Sequence, residues 1–85
     1  MNADQFLGHA AAVVRDRRKA HGDPRDLFDR VAIRWGQVLG TRVTPAQVVL
    51  CMVEVKLARL SSNPGHTDSI TDLAGYAAIL QEIEE

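Results

Sequence analysis

Apolar residues recur every three or four positions in four segments of the chain, and turn-forming residues separate these segments. The separating stretches are residues 21–24, 39–41 and 61–65, which are rich in glycine, proline and small polar residues. A period of three to four indicates amphipathic helices, and no segment alternates as a half-buried strand would. The pattern therefore predicts four helices joined by short connections.

The first two predicted helices have recognisable ends. The first covers residues 4–20 and closes with a run of cations before Gly22, since cations and glycine favour a helix C-terminus. The second has Asp23 as its N-cap and Pro24 at its first position, and Gly40 ends it. Its expected core face consists of Leu27, Phe28, Val31, Trp35, Val38 and Leu39.

The third and fourth predicted helices differ in how evenly their apolar residues are spread. Thr44 and Gln47 form a capping-box pattern at the start of the third. Residues 48–60 are apolar nearly all round, which predicts a central helix contacted on several sides, with Cys51 as a buried small hydrophobe. The fourth helix begins within residues 67–69 and runs to the end of the chain. Its expected buried stripe consists of Ile70, Leu73, Ala77 and Leu80.

Composition is ordinary for a globular protein, with 46% hydrophobic and 25% charged residues in 85. We expect one compact all-α domain covering residues 1–85. The longest apolar run, residues 48–53, is far too short for a membrane span, and no secretory signal is recognisable, so we expect a cytoplasmic protein. A lone cysteine excludes an internal disulfide and a multi-cysteine zinc site. Because so short a chain buries little surface, we expect a homo-oligomer.

The net charge of -1 conceals an uneven distribution of charge. Residues 15–42 contain eight Lys or Arg against four Asp, whereas the remainder contains two cations and seven acids. This asymmetry suits a solvated helix end, one half of a charge-matched subunit contact, or nucleic acid. Nucleic acid is the least favoured of the three, because neither a recognition-helix pattern nor exposed stacking aromatics is evident.

Polar residues concentrate where the third and fourth helices are expected to meet as antiparallel neighbours. Lys56, Arg59 and Asn63 share one stripe, while Glu54 lies about 140° from Arg59 around the helix. Such a cluster suits a phosphate-bearing ligand or a carboxylate-bound Mg²⁺. The predicted ligand-binding residues are His21, Lys56, Arg59, Asn63, His66, Asp68, Asp72 and Tyr76, and the predicted metal ligands are Glu54, Asp68 and Asp72.

A purely structural interpretation of the same residues stays open. In it, a cation of the third helix pairs with Asp72. The fourth helix is capped by Asp68 or Ser69, and His66 is a loop residue. The 21–24 turn likewise has two interpretations. The N-terminus of the second helix could receive an anion, but its aspartate cap already occupies that place, which favours a plain turn and cap.

Several short motifs, spread over roughly residues 20–80, point to one family. They are HGDP at 21–24, Phe28 with Trp35, VTP at 43–45, KLARL at 56–60, and the pattern NP, H, DS, D, AGYA over 63–77. In these motifs the chain resembles a family of short phage and prophage proteins classed as a domain of unknown function. This resemblance implies a fold more readily than an activity.

The acidic pattern of the fourth helix is also similar to that of MazG-like all-α NTP pyrophosphohydrolases. In those enzymes, carboxylates from two helices bind Mg²⁺, which holds a nucleoside triphosphate for attack by water. The resemblance implies that Asp72, with Asp68, and Glu54 supply the carboxylates that bind Mg²⁺. It also implies that Lys56 and Arg59 contact phosphate and that subunits assemble as dimers or tetramers. The Glu-x2-Glu pair of those enzymes is missing here, which favours nucleotide binding over hydrolysis.

Two functions from different classes therefore remain. The first is a small helical protein that binds a nucleotide or another phosphorylated ligand, either sequestering it or acting as a Mg²⁺-dependent pyrophosphohydrolase. The second is a non-enzymatic interaction protein, binding protein or DNA, in which the polar cluster is a structural ion-pair network.

Overall fold

The computed structural model describes all 85 residues and contains four helices and no strands. Helix α1 spans Ala3–His21, α2 Pro24–Leu39, α3 Pro45–Ser62 and α4 Thr67–Glu84. The prediction of a compact all-α domain is confirmed, and the predicted limits of α1 differ from the observed ones by one residue at each end.

The helix ends follow from short-range hydrogen bonds. The Asp23 carboxylate accepts from the Arg25 backbone N–H at 2.9 Å at the start of α2. At the start of α3, the Thr44 hydroxyl accepts from the Gln47 backbone N–H at 3.1 Å, and the Gln47 side chain accepts in return from the Thr44 N–H at 2.9 Å. Gly40 ends α2 with a φ of 71°, a left-handed conformation that glycine adopts without strain.

Helix α4 begins differently from what the sequence predicts. Neither Asp68 nor Ser69 is the cap, and His66 is not a simple loop residue, because the His66 side chain caps the helix. The Ser69 backbone N–H donates to Nδ1 of His66 at 3.3 Å. The buried Ser69 hydroxyl lies 2.7 Å from the same nitrogen and forms a second hydrogen bond with it.

Helices α2 and α4 each pack against all three other helices, and α4 makes the most extensive contacts of the four. Helix α3 contacts only α2 and α4, so the prediction that α3 is central was wrong. The antiparallel arrangement of α3 and α4 is evident from Lys56 and Asp72, which lie eight residues on either side of Pro64 and contact each other. Helix α1 packs against α4 and, more weakly, against α2.

The buried core is small, and several residues expected in it lie at the surface. Its centre is formed by Phe28, Ala32, Val48 and Val49. Exposed residues that were predicted to be buried are Val38, Leu39, Cys51, Ile70 and Ala77. Val38 and Leu39 at the end of α2 and Cys51 on α3 are left exposed by the single chain.

Candidate functional site

The Asp72 carboxylate, in the second turn of α4, joins three helices through two ion pairs. Its Oδ1 accepts from Nη1 of Arg17 on α1 at 2.8 Å. Its Oδ2 lies 3.1 Å from Nζ of Lys56 on α3. The side chains of Asp72 and Lys56 are only 13% and 11% exposed, whereas that of Arg17 is 57% exposed. The buried pair therefore lies within the helix packing, and Arg17 covers it from the solvent side.

Opposing effects act on the ionisation of Asp72. Burial alone would raise the pKa of its carboxyl, because a poorly solvated site disfavours the charged form. The hydrogen bonds and positive charges of Arg17 and Lys56 outweigh burial, so the pKa of Asp72 lies below its ordinary value. The carboxylate is therefore ionised at neutral pH and holds two cations in fixed positions.

A cavity of about 150 Å³ lies beside Asp72, between α1, α2 and α4. Its apolar walls come from Val14, Pro24, Leu27, Phe28 and Ile79, and Gly75 and Tyr76 of α4 also line it. The rings of Phe28 and Tyr76 meet edge to face, with centroids 6.5 Å apart. Its polar lining consists of Arg17, Arg18, His21 and Asp72. The cavity thus combines an apolar interior with a cluster of groups that can bind an anion.

A third ion pair, between Arg18 and Glu82, fixes the cationic side of this cavity. Nη2 of Arg18 donates to both carboxylate oxygens of Glu82, at 2.8 and 3.0 Å. Arg25 Nη2 donates to the Glu82 backbone carbonyl at 3.1 Å. The C-terminal turn of α1 and the first turn of α2 are thereby tied to the last turns of α4.

The structure brings together part of the predicted ligand site. His21, Asp72 and Tyr76 line the cavity, and Lys56 reaches it only through its ion pair with Asp72. Arg59, Asn63 and Asp68 are exposed around the α3–α4 turn and do not line the cavity, and His66 caps α4. The expected stripe of helix three is therefore divided between a buried lysine and two exposed side chains.

The predicted metal ligands are not assembled within one chain. Glu54 is exposed on α3 and lines a separate groove with residues of α2. No three His, Cys, Asp or Glu side chains lie close enough together to hold one metal ion. Asp72 is the single carboxylate among the residues that line the cavity.

Sequence reasoning missed the site roles of Arg17 and Arg18, because they lay in a cationic run that was interpreted as a solvated helix end, one half of a subunit contact or a nucleic-acid patch. Glu82 was also missed. A signal was available in the helical spacing, since Arg17 and Arg18 follow the apolar residues Val13 and Val14 by one turn. That spacing places the cations at the edge of the buried face of α1.

The fold and the cavity together define a small all-α domain with an apolar pocket edged by arginines. None of its helices has the length and hydropathy that a membrane span requires. The chain belongs to the family described as a domain of unknown function, DUF6378, which matches residues 5–84. The predicted membership of a short phage family of unknown function is thereby confirmed.

Two curated relatives are phage proteins. The chain is 35% identical over 81 residues to the Gene 55 protein of Mycobacterium phage L5, covering 93% of this chain and 52% of that protein. It is 34% identical over 84 residues to the Gene 55 protein of Mycobacterium phage D29, covering 98% and 56%. The chain thus spans about half the length of these relatives. No solved structure matches it, and these matches do not show the similarity to MazG-like enzymes.

Proposed function

We propose that this domain binds a nucleotide or a similar phosphorylated small molecule in the cavity between α1, α2 and α4. The observation that carries the proposal is the pairing of apolar walls with Arg17, Arg18 and His21 at one cavity. Ligand sites commonly combine a mainly apolar pocket with a few convergent polar groups. The ring of the ligand would occupy the apolar interior, and its phosphate would lie at the arginines.

The size of the cavity supports this division of the ligand. A volume of about 150 Å³ is enough for one benzene-sized ring. A phosphate must then remain outside the apolar interior. The guanidinium groups are well placed for it, because Arg17 and Arg18 are 57% and 42% exposed and can bind phosphate oxygens in a bidentate manner.

Asp72 and Lys56 would position the arginines of this site rather than contact the ring of the ligand. Lys56 pairs with Asp72 inside the helix packing, so we assign it to holding Asp72 and, through Asp72, Arg17. Arg59, on the exposed side of α3, has no place in this pocket. In this proposal the phosphate contacts are therefore Arg17 and Arg18, in place of Lys56 and Arg59, which the sequence had suggested.

We propose binding rather than hydrolysis for a single chain. Metal-assisted hydrolysis depends on several groups that hold the ion and its substrate. The cavity offers Asp72 alone, and that carboxylate already accepts from two cations. Mg²⁺ would more readily enter together with the phosphates of the ligand, with Asp72 as its one protein carboxylate.

The test is a thermal-shift and calorimetric titration of the full chain with a panel of nucleotides, with and without Mg²⁺. A bound nucleotide raises Tm, and Arg18→Ala weakens binding by about tenfold, the loss expected for one charge-assisted contact. Arg15→Ala is the matched control, because Arg15 is exposed on the same helix and does not line the cavity. No response to any nucleotide, or equal losses in the two variants, would contradict the proposal.

A second candidate is a non-enzymatic interaction protein, and one observation favours it. Arg17, Lys56 and Asp72 already satisfy one another, and no buried side-chain nitrogen or oxygen lacks a hydrogen-bond partner. In this candidate the ion pairs only hold α1, α3 and α4 together. If DNA is the partner, its affinity falls steeply with salt and with loss of the exposed cations of α1.

A further inference from the structure

An apolar groove between α2 and α3 is left uncovered by the rest of the chain. Trp35 and Leu39 of α2 form one side, and Leu50, Cys51 and Val53 of α3 form the other. Leu39 is 65% and Leu50 is 51% exposed. The groove lies towards the opposite end of α2 from the cavity, with which it shares no lining residue.

The chain exposes more surface than a monomer of its size requires. A folded monomer of 9.3 kDa typically exposes about 5,000 Å², whereas this chain exposes 5854 Å². The excess is about 900 Å², close to the roughly 800 Å² that each partner buries in a standard interface.

The dimensions of the molecule support the same conclusion. Its radius of gyration is 13.7 Å, whereas a compact domain of this length has about 12 Å. Only 10 of 85 residues are buried, too few to make a closed core from the available apolar side chains. Since the groove contains a tryptophan and two leucines, covering it would add substantially to the buried apolar surface.

Two opposite charges inside the groove indicate what covers it. Arg42, in the α2–α3 connection, and Glu54, on α3, both line it, and neither has an ion-pair partner within the chain. In an interface with two-fold symmetry, a residue i that contacts j on the partner is matched by j contacting i. A two-fold axis that brings Arg42 against Glu54 of the other copy therefore forms this ion pair twice.

We infer that the α2–α3 groove is the interface of a symmetric homodimer, with Leu50 near its centre and two reciprocal Arg42–Glu54 pairs at its edge. The surface excess matches one such interface, and the groove is complementary in charge to itself. The occupant is a second copy of this chain. This inference does not depend on the proposed ligand, because the cavity lies elsewhere in the fold.

The first test is the mass of the full chain in solution, by size-exclusion chromatography with light scattering and by sedimentation. The expected mass is twice 9.3 kDa. Leu50→Glu should give a monomer that retains its helical circular dichroism, because this exposed position contributes little to the fold of one chain. Leu7→Glu is the matched control, since Leu7 is 59% exposed on α1, away from the groove, and should leave the dimer intact.

The second test reverses the charges. Glu54→Arg brings like charges together and should weaken dimerisation at least tenfold, and Arg42→Glu should do the same. The double variant Arg42→Glu, Glu54→Arg restores the attraction and should recover most of the affinity. Because Cys51 is the only cysteine and lines the groove, a short bis-maleimide should also cross-link two wild-type chains through it.

Three outcomes would overturn the inference. The first is a wild-type chain that stays monomeric throughout the micromolar to millimolar range. Equal effects of Leu50→Glu and Leu7→Glu would place any dimer elsewhere, and a double charge reversal no better than the single ones would remove the reciprocal pairing. Nucleotide titration of the Leu50→Glu monomer separates this result from the proposed function, since the ligand cavity should be unaffected.

Discussion

Two neighbouring regions, the midsection of α4 and the turn between α3 and α4, carry similar polar residues but have different surroundings. The α4 midsection, residues 72–76, lies between α1 and α3, and its Asp72 is 13% exposed and paired with two cations. The α3–α4 turn, residues 63–68, carries Asn63 and Asp68, which are exposed and take part in no ion pair. The role of a charge is therefore set by which distant helix packs over it, more than by its neighbours in sequence.

The largest expected difference between these regions is in stability. Asp72→Ala leaves the Lys56 ammonium, whose side chain is 11% exposed, without its carboxylate. Breaking such a buried pair costs about 3 kcal/mol in the free energy of unfolding, because an unpaired charge remains poorly solvated. Asp68→Ala at the turn should change that free energy by only about 0.5 kcal/mol. Urea unfolding of the two variants measures both values.

A double variant distinguishes an unpaired charge from a general loss of packing. Replacing both partners, as Lys56→Met with Asp72→Leu, should recover much of the lost stability, since hydrophobic residues of similar volume often replace a buried ion pair without loss. If Asp72→Ala and Asp68→Ala are equally mild, the midsection is as well solvated as the turn and the comparison fails.

The second difference is in the response to acid. The pKa of Asp72 is lower in the folded chain than its ordinary value, so its stabilising contribution is complete above the unfolded pKa, which is near 4, and is lost as the pH falls through the folded pKa. Arg17→Gln removes one cause of the lowered pKa and should reduce this loss of stability at low pH. Arg59→Gln, on the exposed side of α3 and outside these ion pairs, should leave it unchanged. Urea unfolding at a series of acid pH values measures the free energy of unfolding of both variants. If this free energy falls equally steeply with pH in the two variants, the prediction is refuted.

The sequence predicts the helices well because their ends depend on neighbouring residues. The Asp23 cap and the Thr44–Gln47 capping box each connect groups within three positions, and both are observed. His66 is the exception. Its ring nitrogen takes the place expected of Asp68 or Ser69, because the Ser69 side chain is turned inward and fully buried.

The candidate site could be predicted only in part, because it depends on contacts between distant segments. The Lys56–Asp72 pair is accessible to reasoning, since a short connection makes α3 and α4 antiparallel neighbours. Arg17 lies 55 positions before Asp72. No local pattern in the sequence indicates that α1 packs on α4 with these two residues side by side. The all-round apolar character of α3 suggested a central helix, whereas its outer face is exposed in the single chain.

The smallest expected difference concerns two glycines, one in each region. A Cβ added at Gly75 would lie 3.6 Å from Cγ2 of Val14, an ordinary contact, and one added at Gly65 would lie 3.9 Å from Oδ1 of Asn63. Neither glycine has a positive φ, so alanine fits both backbones. Each substitution should therefore raise the free energy of unfolding by about 0.5 kcal/mol, because alanine restricts the unfolded chain.

Ligand binding should separate these two otherwise similar variants. Gly75 lines the cavity, so the methyl group of Gly75→Ala reduces the space available to a ring and should weaken nucleotide binding severalfold. Gly65→Ala adds the same methyl group at the turn, outside the cavity, and should leave the affinity unchanged. Calorimetric titration of both variants measures this. Equal affinities, combined with equal gains in stability, would mean that the ligand does not reach the midsection, and the arginines would then bind it from the surface alone.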